Sequence, residues 1–230
     1  MRYCVSNTGS REDFERDWYI AQGFGAVTSY GFHEGADINL KTGGDSDLGQ
    51  EIKAIANGRI VYYHKNSHPN TGFGLHLVYR IEGAWGVRWV HCCHMQSEGF
   101  LGSAQDITEG QIIGRLGKSG TPYAHLHFAI YKVDPITVGI DKFARNATEL
   151  NQYWEDPIAF INTWMAVASV PVPAPITDQS KYDFGEGFGI MELQAAKSIL
   201  QAQKSEINNL KVKLSSGATS LRNLANEFES

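Results

Sequence analysis

Apolar and polar positions alternate in short runs over residues 24–131, and glycine-rich turns separate the runs. The runs are rich in Val, Ile, Tyr, Phe and Trp, which is typical of β-strands. Because this region shows no alternation of strand and helix patterns, it predicts antiparallel rather than parallel sheets. The segments that we assign to strands are GADINL, RIVYYH, LHLVYRI, VRWVHCCHM, QIIGRLG and HLHFAIY.

Two flanking regions carry patterns of a different kind. Residues 11–22 predict one short helix, and residues 140–166 predict a mixture of loop and helix whose Trp and Phe side chains pack back on the sheets. We therefore expect residues 1–165 to form an all-β domain of antiparallel sheets with glycine-rich turns.

The pattern changes again beyond this domain. Residues 166–190 contain alternating prolines and then several glycines, which favour an extended, solvated linker. Residues 191–230 carry apolar positions at alternating spacings of three and four, which predict a helical tail. A coiled coil over residues 193–228 would make the chain a homo-oligomer. A single amphipathic helix that packs on its own domain is the alternative.

Composition excludes several classes of protein. The formal net charge of −5 over 230 residues argues against a basic nucleic-acid binder. No run of about 18 apolar residues is present, so we expect no membrane-spanning helix. Residues 1–19 are charged and lack the apolar segment of a secretion signal. Two of the three cysteines, Cys92 and Cys93, are adjacent, which argues against a disulfide scaffold.

Four of the eight histidines fall into patterns that suit metal chemistry. In GFHEGADI, His33 and Asp37 are four positions apart, and because this spacing is even, an extended chain places both on one face. In HLHFAI, His125 and His127 share a face of a second strand. If the two strands pair, three imidazoles and one carboxylate come together. Two His and one Asp are a suitable ligand set for a catalytic Zn²⁺, with the remaining histidine as a base.

Four segments resemble the motifs of a known family, the lysostaphin-type (LytM-like) zinc metallopeptidases. They occur in the family's order over residues 31–130, and they are GFHEGADI, EIKAIANGRIVYY, ITEGQIIGRLGKSG and GTPYAHLHFAI. The resemblance implies a zinc-dependent endopeptidase whose substrate is the peptide part of bacterial cell-wall peptidoglycan.

Carried over residue by residue, the resemblance assigns zinc to His33, Asp37 and His127. It makes His125 a catalytic histidine that handles the proton of the attacking water. A second catalytic histidine is expected in the segment VHCCHM, where His94 stands at the family's position and His91 is the alternative.

The chain also departs from the family pattern. Cys92 occupies the position of a family tyrosine, two residues before His94, and the spacing predicts that both share a face. Cys92 is then either a zinc competitor and oxidation sensor or a small buried side chain. Tyr30 and Tyr123 are candidates for oxyanion stabilisation or for the substrate groove, with core packing as the alternative.

The resemblance leaves two other functions open. Some relatives keep the fold without catalysis and activate other cell-wall hydrolases, and a coiled-coil virion component is a further alternative. In each case we expect the chain to act at the bacterial cell wall, outside the inner membrane or in the periplasm. Without a visible signal peptide, a phage-encoded lysin or a virion-borne hydrolase would explain how the protein reaches the wall.

Overall fold

The computed structural model describes residues 1–64, 72–97, 99, 101–140 and 142–168. Most of the predicted linker and all of the predicted helical tail lie outside these residues, so both stay predictions. In the described part the elements are, in chain order, α1 (Arg11–Asp17), β1 (Trp18–Gln22), β2 (Val27–Thr28), β3 (Gly31–Phe32), β4 (Gly35–Leu40), β5 (Glu51–Lys53), β6 (Gly58–His64), β7 (His76–Gly83), β8 (Gly86–Cys93), β9 (Asp106–Ile107), β10 (Ile112–Arg115), β11 (Leu126–Tyr131), α2 (Pro135–Val138), α3 (Ala147–Tyr153), β12 (Trp154–Glu155) and α4 (Pro157–Ala168).

The main sheet has eight strands, and every pairing within it is antiparallel. Its order is β1-β4-β11-β8-β7-β6-β9, with β12 beside β11. Two small sheets pair β5 with β10 and β2 with β3, again antiparallel. The prediction of antiparallel β-structure is therefore confirmed. No helix in the described residues has the length and apolar character that crossing a membrane requires.

The two faces of the main sheet differ in chemistry. Ile38, Leu126 and Phe128 are fully buried on one face and belong to the main hydrophobic core. The residues between them point to the opposite face because side chains alternate along a strand. On that opposite face the register places Asp37 of β4 across from His127 of β11. Core packing on one face therefore positions polar side chains on the other.

The flanking regions follow the sequence prediction only in part. Helix α1 begins after Ser10, whose side chain accepts a hydrogen bond from the Asp13 amide, as an N-cap residue does. The helix ends at Asp17, and the rest of the segment predicted as helical forms β1, which pairs with β4. Farther on, α3 and α4 form within residues 140–168, and Trp154 and Phe160 are buried as expected.

Tyr79 links the main sheet to the loop after β5, and replacing it with Phe tests that contact. Its hydroxyl accepts a hydrogen bond of 3.1 Å from the Ile55 amide in the core. Tyr79→Phe leaves this amide unpaired, so we expect the free energy of unfolding to fall by about 1–3 kcal/mol. Calorimetry measures the change as a fall in Tm of several degrees. Tyr19→Phe, at a side chain that is 42% exposed, is the control and should not change Tm. Equal Tm values for both variants would contradict this role of Tyr79.

Candidate active site

Three candidate ligand atoms converge at the edge shared by β4 and β11. His33 Nε2 lies 3.1 Å from Asp37 Oδ1 and 3.0 Å from His127 Nδ1, and His127 Nδ1 lies 3.0 Å from Asp37 Oδ1. A tetrahedral zinc with ligands at about 2.0–2.1 Å separates those ligands by about 3.3 Å. The three atoms therefore fit a zinc ion with almost no movement. The structure brings these residues together as the spacing of the two motifs predicted.

Hydrogen bonds behind the ligands determine which ring nitrogen faces the centre. His33 Nδ1 donates to the Gly23 carbonyl at 3.1 Å, and because a carbonyl can only accept, Nε2 keeps its lone pair. His127 Nε2 lies 3.6 Å from Glu34 Oε1, so a proton on this nitrogen faces a carboxylate. Glu34 is only 1% exposed. We did not identify it from the sequence, where its position inside the first motif was the only signal.

The charge of Asp37 suits a metal ligand. Burial raises the pKa of its carboxyl group, but hydrogen bonds and attraction from His127 and His33 outweigh burial and hold the pKa well below its usual range. Burial also raises the pKa of Glu34, and attraction from His127 opposes it only in part. The centre therefore contains one firmly ionised carboxylate with the two imidazoles that contact it.

His94 and His125 lie beside the three candidate ligands. Their ring centroids are 4.5 Å apart, and His125 Nε2 is 3.7 Å from Asp37 Oδ1. His94 Nδ1 donates to the Ser119 carbonyl at 2.8 Å, and His125 Nδ1 donates to the Tyr123 carbonyl at 3.1 Å. Each ring consequently keeps a basic Nε2. Burial lowers the pKa of His94 to about 3 and also lowers the pKa of His125, so both are neutral near pH 7.

A cavity of about 430 Å³ opens over these side chains. Tyr30 lines it, and its ring lies 4.8 Å from that of Phe143. Phe73 forms another part of the wall, with its ring centroid 5.3 Å from that of His127. Of the two candidate tyrosines, Tyr123 is 74% exposed and does not line this cavity. Phe143 was not among the candidates from the sequence, because it lies outside the strand patterns and motifs that carried them.

Comparison with protein families identifies this region. Residues 31–140 match the profile described as Peptidase family M23. The match spans 110 of the 230 residues, so this segment is similar to peptidase family M23. The matched residues include His33, Asp37, His94, His125 and His127, so the candidate site lies wholly inside the matched segment.

Individual relatives cover different shares of the chain. Outer membrane antigenic lipoprotein B of Haemophilus influenzae is 31% identical over 121 residues, which is 51% of this chain and 26% of the relative. The chain thus spans about a quarter of that relative's length. The catalytic domain of lysostaphin from Staphylococcus simulans has 22% identity and a TM-score of 0.47, and the match covers 66% of this chain and 98% of the lysostaphin domain. A structure of LytU has 25% identity and a TM-score of 0.44, and the match covers 63% of this chain and 84% of the LytU chain.

The prediction that Cys92 shares a face with His94 is wrong. Cys92 is fully buried in the main hydrophobic core, across from Phe128. The alternation of the strand breaks because His94 has a left-handed φ of 59° directly after β8. Cys93, rather than Cys92, lies on the face of His127. Burial raises the pKa of the Cys92 thiol well above its usual range, so this residue packs as a small apolar side chain.

His91 does not line the cavity, whereas His94 does. Strand β8 places His91 on the same face as His127, but across from Ala129. The His91 ring lies 4.8 Å from the ring of His76. Burial lowers the pKa of His91 well below its usual range and that of His76 to about 4.

Gly35 offers a test of the ligand geometry. A Cβ at this position would lie 2.6 Å from the Phe128 carbonyl oxygen and 3.0 Å from the His127 ring. Gly35→Ala should therefore displace the imidazole and weaken zinc affinity by about 10–100-fold, as is typical when a metal ligand loses its orientation. Competition with a chromogenic chelator measures the affinity. Gly102→Ala, where a Cβ meets nothing within 4 Å, is the matched control. Unchanged affinity in Gly35→Ala would contradict this packing.

Proposed function

We propose that this chain is a zinc-dependent endopeptidase that hydrolyses peptide bonds in bacterial cell-wall peptidoglycan. The observation that carries the proposal is the convergence of His33, Asp37 and His127 beside two neutral imidazoles in an open cavity. The match of residues 31–140 to the M23 family model supports peptidase chemistry. The four motifs that resemble lysostaphin-type enzymes support the cell-wall substrate.

We propose that His33, Asp37 and His127 hold the zinc ion. When bound there, zinc supplies a Lewis acid that polarises a carbonyl and lowers the pKa of water to about 7. Glu34 acts as a positioning residue in this scheme. Its carboxylate faces His127 Nε2, so it favours the tautomer in which Nδ1 is available as a ligand.

His125 and His94 manage the protons in the proposed reaction. His125 Nε2 is the nearer base to the ligand atoms and accepts a proton from the attacking water. As an imidazolium it can return this proton to the leaving amine. His94, held through Nδ1 by Ser119, likewise presents an unprotonated Nε2. It can therefore accept a second hydrogen bond from the attacking water, but it has no proton to donate to the carbonyl oxygen, on which negative charge develops.

Tyr30 is the proposed donor to that oxygen. Its side chain is at the rim of the cavity and is 51% exposed, so a substrate can reach it. Burial of the remainder raises its pKa, and the hydroxyl therefore keeps its proton at neutral pH. Tyr123 stays a candidate for the outer substrate groove, where only its carbonyl contacts the site through His125.

Substitutions separate the residues that hold zinc from those that move protons. His33→Ala, Asp37→Ala and His127→Ala should lose both zinc and peptidase activity. His125→Ala and His94→Ala should keep zinc and lose about 10²–10⁴-fold in rate, the usual contribution of general acid–base catalysis. Zinc content is measured by mass spectrometry of the metal and activity by release of muropeptides. Full activity in His125→Ala would overturn the scheme.

The cell-wall substrate is tested by digesting purified peptidoglycan of several wall types with and without a zinc chelator. We expect new free amino groups and shortened cross-bridge peptides in the mass spectra, which the chelator abolishes and added zinc restores. A non-catalytic activator, or a virion component that only keeps the fold, would release nothing by itself. Stimulation of another hydrolase without any cleavage by this chain would favour the activator.

A further inference from the structure

A second group of metal-binding side chains lies on the same face of the main sheet, on the strands beyond β11. His76 is the first residue of β7, and His91 and Cys93 lie at the end of β8. One ligand atom from each of the three residues lies within 4.8 Å of the other two, and all three residues are buried. We refer to His76, His91 and Cys93 as the second cluster.

The two imidazoles of the second cluster lack the partners that buried polar groups require. His91 is fully buried and His76 is 3% exposed. Both ring nitrogens of each residue are without a hydrogen-bond partner among the residues that the structure describes. Such burial costs free energy unless another group satisfies the nitrogens. A cation would satisfy one nitrogen of each ring by accepting its lone pair.

The second cluster is distinct from the proposed catalytic centre. None of its three residues lines the cavity above His33, Asp37 and His127. The ring of Phe73 packs between the two groups, with its centroid 5.3 Å from that of His127 and 5.1 Å from that of His91. A ligand of the second cluster would therefore be shielded from the peptide substrate.

We propose that His76, His91 and Cys93 form a second metal site that binds a zinc-type divalent cation. Thiolate sulfur and imidazole nitrogen are both donors that bind zinc well. A tetrahedral zinc separates nitrogen and sulfur ligands by about 3.3–3.6 Å. Because the three atoms already lie within 4.8 Å of one another, the side chains need to converge by at most about 1.5 Å. Binding forms the metal–sulfur bond and releases the thiol proton to solvent.

The site would stabilise the part of the sheet that carries His94. A metal held by His76 and Cys93 links the beginning of β7 to the end of β8. His94 follows Cys93 directly and has the left-handed backbone that brings its ring into the cavity. The second metal therefore acts on structure, and its loss should lower Tm while leaving zinc at the catalytic centre.

Cobalt distinguishes the two sites because only the second cluster contains sulfur. We expect the metal-depleted full chain to bind two equivalents of Co²⁺, one of which produces a thiolate-to-cobalt charge-transfer band in the near ultraviolet. Cys93→Ala should lose that band and one equivalent. Cys92→Ala is the matched control, since Cys92 lies in the core on the opposite face, and it should keep both. The band should also persist in His33→Ala, in which the catalytic centre is disabled.

A second measurement covers the case in which Cys93→Ala fails to fold. X-ray absorption of zinc-loaded His33→Ala should show sulfur at about 2.3 Å from the metal. One bound equivalent without the charge-transfer band in the wild-type chain would overturn the proposal. A band that survives in Cys93→Ala, or a zinc shell of nitrogen and oxygen only, would overturn it as well. None of these outcomes depends on peptidase activity, so they are independent of the proposed function.

Discussion

The antiparallel register between β4 and β11 is the constraint on which the site depends. It places Asp37 directly across from His127, and a slip of one residue would turn one of them into the core. The register is held from the other face of the sheet, where Ile38, Leu126 and Phe128 are fully buried. The apolar core thus determines the distance between these two proposed metal ligands from the opposite face of the sheet.

Close approach of the two strands adds a second requirement. The His127 imidazole occupies the space beside Gly35 that any other residue would fill with a Cβ. This is a packing reason for glycine, distinct from backbone freedom, because Gly35 lies within a regular strand. The segment GFHEGADI therefore combines the candidate ligands His33 and Asp37 with one position, Gly35, at which a side chain does not fit.

The third feature is a local departure from regular structure. His94 adopts a left-handed conformation, which costs roughly 1–3 kcal/mol for a residue other than glycine. Neighbouring contacts sustain it, since the His94 amide donates to the Phe73 carbonyl and its ring donates to the Ser119 carbonyl. The result is an imidazole that faces the cavity from a position where strand alternation would send it into the core.

The sequence alone determined six of the strands (β4, β6, β7, β8, β10 and β11), the antiparallel class and the pairs His33–Asp37 and His125–His127. These features depend on periodicity and short-range spacing. Tertiary structure decided the features that depend on distant contacts. Glu34 faces His127 only after β4 and β11 pair. The left-handed turn at His94 places its ring on the face of Cys93 rather than on that of Cys92, where alternation predicted it. Alternation of apolar and polar residues does not predict such a turn, because contacts with distant segments compensate for its conformational cost.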